Sequence, residues 1–313
     1  MGGFKFMKWT IFRLTVSAEK HGWRLDLFLA DAHENLSRTL VKKVIDLGGV
    51  HLQGRRVRSC SQPVQNGDRI EVYLDHLPMD PYRIAEEDVI YRDSYLIVLN
   101  KPAFVDTQPT HARYKGTLYE ALQWYLKDPF RPRQKPELGM IQRLDRGTSG
   151  LIVFSIHQKA HKKMTQIFLE RRVEKRYLAL VSGVPASSEG EIRSYLTRVR
   201  KVNRVMSVKK GGKEAITRYR VVESFNGCSL LEIDLLTGRS HQIRAHMSEQ
   251  GCPLLGDQRY AGPKEFHGKV IARPLLHAAR LVFQHPVTGQ QLDFTTPVPV
   301  DMVAVYENLK KES

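Results

Sequence analysis

Between Trp23 and Ala32 the apolar residues Leu25, Phe28, Leu29 and Ala32 recur every three to four positions, the spacing of one helix face. A second stripe, Leu40, Val41, Val44 and Ile45, begins after Ser37, whose short polar side chain suits an N-cap, and stops at Gly48-Gly49. Two short amphipathic helices are predicted, with Arg38, Lys42 and Lys43 on the polar face of the second. Residues 50–52, 56–57 and 69–74 then read as short strands, with turn chemistry at Asn66-Gly67-Asp68. Residues 78–88, with Pro78, Pro81 and Glu86-Glu87-Asp88, break every period and read as a linker. A chain of 313 residues exceeds what one compact core usually serves. The predicted organisation is a small helix-helix-strand domain over residues 1–77, the linker, and a larger domain over residues 89–313.

In the larger domain, strand patterns fall at 89–92, 96–100, 151–156, 176–182, 215–224, 229–236, 280–284 and 291–295, and helical patterns at 117–126, 158–170, 240–250 and 300–310. Strands outnumber helices and do not alternate strictly with them, which predicts an α+β domain built on a mixed sheet rather than a doubly wound parallel one. No internal repeat and no low-complexity tract interrupts the pattern.

Charge adds a partner to this picture. The chain carries 49 Lys and Arg against 33 Asp and Glu, a net +16, so an anionic partner, nucleic acid first, is expected. Residues 159–213 hold 15 Lys and Arg against four Glu, a surplus of 11. That stretch includes a charged excursion, Arg198 to Arg204, with Arg200, Lys201 and Arg204 placed to grip phosphates. No apolar run of membrane-spanning length occurs, and residues 1–10 lack the pattern of a secretory leader, so a cytoplasmic protein with no membrane partner is expected. Cys60, Cys228 and Cys252 have neither disulfide nor zinc spacing.

The densest polar chemistry lies at Ile141-Gln142-Arg143-Leu144-Asp145-Arg146-Gly147-Thr148-Ser149-Gly150-Leu151, at the entrance to an apolar strand. In extended backbone Arg143 and Asp145 share a side while Leu144 turns inward. Arg143 and Arg146 are expected to hold Asp145 ionised, because neighbouring positive charge lowers a carboxylate pKa. Residues 147–150 suit a tight turn. Taken alone, the segment describes a structural ion pair as readily as a catalytic carboxylate.

Together with Asn100-Lys101-Pro102, Lys175-Arg176-Tyr177-Leu178-Ala179, Leu236-Thr237-Gly238-Arg239-Ser240-His241-Gln242-Ile243-Arg244-Ala245-His246 and Gly256-Asp257-Gln258-Arg259-Tyr260, however, the segment resembles the RluA family of pseudouridine synthases. The motifs stand in the family's order. The run from Arg24-Leu25-Asp26 through Leu36-Ser37-Arg38, Gly49-Val50 and Gly54 to Asn66-Gly67-Asp68-Arg69-Ile70 is similar to the small RNA-binding domain first described in a small-subunit ribosomal protein. The resemblance implies a largely antiparallel sheet with flanking helices in the second domain. It implies Asp145 as the catalytic aspartate, Tyr177 as the aromatic contact to the target base and its general base, and Arg244 as the ion-pair partner of the aspartate. Lys101, Arg143, Arg146, Thr148, Arg239, His241 and Gln242, within the motifs, are the expected substrate-binding residues. Arg38, Lys42 and Lys43 join Arg200, Lys201 and Arg204 as expected RNA contacts. The family usually has His where Gln142 stands and Asp where Gly147 stands, differences that bear on substrate fit more than on chemistry.

The implied reaction moves the ribose bond of uridine from the ring nitrogen to carbon 5, with no redox change and no transferred group, so no cofactor is expected. It requires an ionised carboxylate at the glycosidic bond, a base for the carbon-5 proton, and a nucleotide flipped from its stack. Ser240 is the expected N-cap of a helix that carries Arg244 in its first turn. His241 and His246, five residues apart, lie about 140° apart around that helix and cannot share an ion, so no metal is expected. The expected substrate is ribosomal RNA of the large subunit, with transfer RNA as the alternative, acted on by a monomer. Two other readings compete: a non-catalytic RNA-binding or ribosome-assembly factor on the same scaffold, and a glycoside hydrolase pairing Asp145 with Glu170 or Asp257.

Overall fold

The computed structural model describes residues 9–199, 201, 202 and 204–312. Chain contacts divide these into two compact units, one of residues 9–84 and 105–134, the other of residues 85–104 and 135–312.

In the first unit, β1 (Thr10–Thr15), α1 (Leu25–Ala32), α2 (Arg38–Leu47), β2 (Val50–Leu52), β3 (Arg55–Arg56) and β4 (Arg69–Leu74) form a four-stranded antiparallel sheet, ordered β1-β4-β2-β3, beside two helices. The helices meet the sequence expectation because their signals are local. The Ser37 hydroxyl accepts a hydrogen bond from the Leu40 amide at 3.3 Å, and Gly48, at φ 92°, ends α2 in the left-handed conformation that glycine adopts freely. Leu25, Phe28, Leu29, Val41, Val44 and Ile45 bury their stripes against Val50, Ile70 and Val72. Strand β1 was not expected.

Residues 105–134, assigned by the sequence pattern to the larger domain, pack in this first unit instead. A buried ion pair holds them there: the Arg113 guanidinium donates to both carboxylate oxygens of Asp75, at 2.6 and 2.7 Å. The Tyr114 amide also donates to the Leu47 carbonyl. Helix α3 (Leu118–Tyr125) completes the unit, capped by Thr117.

The second unit is built on one 11-stranded sheet. Its strands are β5 (Val89–Arg92), β6 (Leu96–Lys101), β7 (Gly139–Met140), β8 (Ser149–Ser155), β9 (Val173–Ser182), β10 (Glu189–Val199), β11 (Arg204–Ser207), β12 (Lys213–Phe225), β13 (Cys228–Leu235), β16 (Leu276–Gln284) and β17 (Gln291–Thr295). A separate hairpin is formed by β14 (Glu265–Phe266) and β15 (Lys269–Val270). The main path runs β11-β10-β12-β13-β9-β16-β8-β6-β5, with β17 on β16 and β7 on β8. Every pairing is antiparallel except β8 with β16, so the sheet is mixed and largely antiparallel, as expected. Helix α4 (Gln158–Leu169) sets Ala160, Met164 and Ile167 on Leu96, Val98, Leu151 and Val153. Helix α6 (Val300–Glu312) covers a second cluster through Met302 and Leu309.

Strands β10 and β11, to which Arg198 and Arg204 belong, pair with each other at one edge of this sheet, and the sequence pattern did not reveal either. Among the described residues no helix is long and apolar enough to cross a membrane.

Candidate active site

The segment before β8 has no regular secondary structure through Asp145, then turns at Arg146 and Gly147. Leu144 is buried, Arg143 is exposed and the Asp145 side chain is 28% exposed, the alternation expected of extended backbone. The turn is tied down by the Thr148 amide donating to the Asp145 carbonyl at 3.0 Å. Two residues later, Gly150 adopts φ 107° where β8 meets β16, and a Cβ there would lie 2.3 Å from the Ala278 carbonyl oxygen. Only a residue without a side chain permits that approach. On its other flank β16 pairs with β9, and Ala278, opposite Gly150, is also opposite Tyr177. Strand β16 thus brings Tyr177 level with the loop that carries Asp145.

Arg244 arrives from helix α5 (Gln242–Glu249), 99 residues further along the chain. Its guanidinium is 7% exposed and fully used on one side: Nε and Nη2 donate to Asp257 at 2.6 and 2.8 Å, while Nη1 donates to Asp145 Oδ2 at 2.9 Å. Asp257 is completely buried, so one guanidinium joins a sealed carboxylate to an accessible one. The Tyr260 ring lies 5.0 Å from the Arg244 guanidinium, and its hydroxyl meets His241 Nδ1 at 3.0 Å. His241 Nε2 is 3.8 Å from Asp145 Oδ2. Lys101, fully buried at the end of β6, directs Nζ to the Pro102 carbonyl at 2.8 Å.

Desolvation raises the pKa of Asp145, but His241, Arg244 and Lys101 more than offset it and hold the carboxyl below its ordinary value. Burial lowers the His241 imidazole to about 4, so His241 adds its charge only in acid, and at neutral pH the cations at Asp145 are Arg244 and Lys101. The largest charge effects on Asp145 come from these residues rather than from its sequence neighbours Arg143 and Arg146; the Arg146 carbonyl accepts from the Phe104 amide at 2.7 Å. Burial and the charge of Asp145 push the Tyr177 phenol far above its ordinary value. Tyr177 is therefore a neutral phenol at neutral pH.

Other expected residues divide cleanly. Gln242 is buried and turned away from Asp145, with Oε1 accepting from the Thr237 hydroxyl and the Arg239 amide and Nε2 donating to the Ile216 carbonyl and Thr217. It fastens the turn before α5 and has no donor left for a substrate. The N-cap of that helix is His241, at φ 50°, and not Ser240. Arg239 Nε donates to the Glu214 carbonyl at 2.8 Å. In the first unit, Arg38 lies 3.4 Å from Asp26, and Lys42 and Lys43 are exposed. Lys201 is exposed, Arg204 approaches the Tyr260 ring at 6.0 Å, and Arg200 lies outside the described residues.

The RNA pseudouridylate synthase family matches residues 95–249, and the S4 domain matches residues 23–70. An uncharacterized RNA pseudouridine synthase of Bacillus subtilis (strain 168) is 34% identical over 309 residues, covering 95% of this chain and 98% of the relative. Ribosomal large subunit pseudouridine synthase D of Zymomonas mobilis is 33% identical over 315 residues, covering 95% and 97%. The chain belongs to the RluA family of RNA pseudouridine synthases.

The synthase isomerises uridine to pseudouridine in RNA. Its fold is shared with the human RNA Pseudouridylate Synthase Domain Containing 4, at a TM-score of 0.58 and 23% identity over 71% of this chain and 92% of that one. In the sequence Asp257 and Tyr260 stand in one motif, Asp257 also as a candidate glycosidase carboxylate, but their contacts with Arg244 depend on the fold. Arg273, outside every motif, is fully buried and donates to both Asp301 oxygens and, at 3.0 Å, to the Gly147 carbonyl. Gly147 departs from the family pattern beside Pro274: a Cβ at 147 would lie 2.9 Å from Pro274 Cδ, so the two residues fit as a pair. Gln142 buries Nε2 without a hydrogen-bond partner in the synthase.

Proposed function

We propose that Asp145 is the carboxylate of the isomerisation, that Tyr177 packs against the target base, and that Arg244 positions Asp145. The observation that carries this reading is the Arg244 guanidinium, anchored on buried Asp257 and reaching Asp145 with its remaining edge. Breaking the bond between C1′ and N1 and rejoining C1′ to C5 exchanges a carbon-5 proton for one on nitrogen, leaving the formula unchanged. An ionised carboxylate can act on the base or on the ribose in that sequence, and the site keeps Asp145 ionised at neutral pH. The buried, uncharged Tyr177 supplies an apolar face for a flipped uracil. Lys101 adds positive potential, and Thr148 and Gln242 hold the two segments that present Asp145 and Arg244.

The substrate we propose is large-subunit ribosomal RNA. Support comes from the relatives of Zymomonas mobilis and Haemophilus ducreyi, both called ribosomal large subunit pseudouridine synthase D, at 33% and 32% identity over 95% of the chain. We further propose a monomer, since Asp145, Tyr177, Arg244 and Asp257 all come from one chain, working in the cytoplasm with Cys60, Cys228 and Cys252 as free thiols. The test is release of tritium from carbon 5 of uridine in a large-subunit ribosomal RNA transcript. The wild type is expected to release it and Asp145→Asn to release none. An active Asp145→Asn variant removes the catalytic assignment, and a wild type active only on transfer RNA removes the substrate.

A further inference from the structure

Lys175 stands two residues before Tyr177 on β9, so the two side chains leave the same face of the sheet. Its ammonium lies against the turn before α5, 3.8 Å from where a Cβ would sit at Gly238. Because residue 238 has no side chain, the space beside that ammonium is open. Arg239 follows in the same turn, with its backbone amide on Gln242, its Nε on the Glu214 carbonyl, and both terminal nitrogens outside those two bonds. Arg171, on the approach to β9, completes the group and is itself held by the Glu214 carboxylate at 3.0 Å, which also takes Arg193.

The charges that act on Lys175 are Arg171 and Arg239, both positive. Burial first, and then those two cations, bring its ammonium down to about 8. A half-buried cation facing other cations is electrostatically incomplete, and the deficit is one negative charge. Glu214 does not supply it, being engaged by Arg171 and Arg193.

We infer that Lys175, Arg239 and the open backbone at Gly238 form a seat for a phosphate of the substrate RNA, next to the nucleotide that enters over Tyr177. The inference rests on the proposed site at Asp145 and Tyr177, and it adds a backbone-holding element to it. A lysine suits this task as a mobile point charge that follows the phosphate, while the fixed Arg239 fork sets its direction. A phosphate gripped here pins the strand on one side of the flipped nucleotide, which leaves the base free to rotate during the reaction. The contact carries no sequence information.

The test uses the full chain with Asp145→Asn in the background, so that binding is measured without turnover, and a large-subunit ribosomal RNA transcript as the probe. Affinity is determined from low to moderate salt for that parent, for Lys175→Met and for Lys175→Arg. A phosphate seat predicts that Lys175→Met binds about tenfold more weakly at low salt and that its plot of log affinity against log salt is flatter by about 0.7 to 0.9, the share of one phosphate. Lys175→Arg keeps the parental slope, which separates loss of charge from damage to the fold. If Lys175→Met keeps parental affinity and slope, the seat is refuted, whatever happens to turnover in the catalytically intact protein. Tritium release that survives Asp145→Asn removes the proposed site instead and is read in a separate measurement.

Discussion

Replacing Asp257 by Asn leaves the shape of the site almost unchanged and removes one buried charge. Asp257 is completely buried and takes two hydrogen bonds from Arg244, at 2.6 and 2.8 Å. Without its charge, Arg244 keeps a single anionic partner, Asp145, which is partly open to solvent. Breaking a buried ion pair from one side costs about 3–5 kcal/mol, because the remaining charge stays desolvated. In a unit of roughly 200 residues that loss lowers Tm by about 6–20 °C. Turnover falls as well, since Arg244 shifts toward Asp145 and the carboxylate loses its set position. Forfeiting one charged hydrogen bond of about 1.5–3 kcal/mol corresponds to a roughly 10- to 150-fold drop in kcat. Asp145→Asn is the contrasting variant. It leaves the Arg244–Asp257 fork intact, so it abolishes turnover while moving stability by no more than about 1 kcal/mol. Thermal unfolding and single-turnover tritium release on the same preparations measure both quantities. Wild-type Tm and turnover in Asp257→Asn, or equal destabilisation by the two variants, refutes the division of labour between the carboxylates.

Three further outcomes are expected. The Asp145 carboxyl lies below the ordinary carboxylate value and His241 near 4, and the working forms, carboxylate and neutral imidazole, are lost only as pH falls through those values. The profile of kcat/KM should therefore be flat from pH 7 to 5, and an acid limb near pH 6 would contradict the assignment. Gly150→Ala drives a methyl group into the Ala278 carbonyl and should cost about 3 kcal/mol or more, read from the midpoint of urea unfolding; an unchanged midpoint rules out the close β8–β16 approach. The Lys42→Ala, Lys43→Ala double variant should flatten the salt dependence of RNA affinity by about 1.5 if each lysine meets a phosphate, and an unaltered slope excludes α2 from the RNA contact.

What was legible in the sequence had local causes. Ser37 and Gly48 bracket α2 because a cap and a left-handed stop act within one turn. Asp145 and Leu144 fall on opposite sides because extended backbone alternates. Strand β1 escaped notice because its outer face exposes Ile11 and Arg13 together, which blurs the alternation, and β10 and β11 because an edge hairpin tolerates charge that would exclude a strand from a core. The cations of Asp145 were sought next to it, at Arg143 and Arg146, whereas the sheet delivers Arg244 from 99 residues away. Proximity of that kind comes from strand order and register, which no local period records. Gln142 is where this chain departs from the family without a visible compensation, and its unpartnered amide has no explanation in the structure.

Strand β16 lies between β8 and β9. During synthesis Asp145 and Tyr177 therefore leave the ribosome about 130 and 100 residues before the strand that joins their two halves of the sheet. A nascent or truncated chain can hold every residue named for the chemistry and still lack a site, because β8 and β9 have no edge in common without it. Pairing β16 with both is a non-local contact, of the kind that costs loop-closure entropy before it stabilises. The site is therefore incomplete in any chain that stops short of β16.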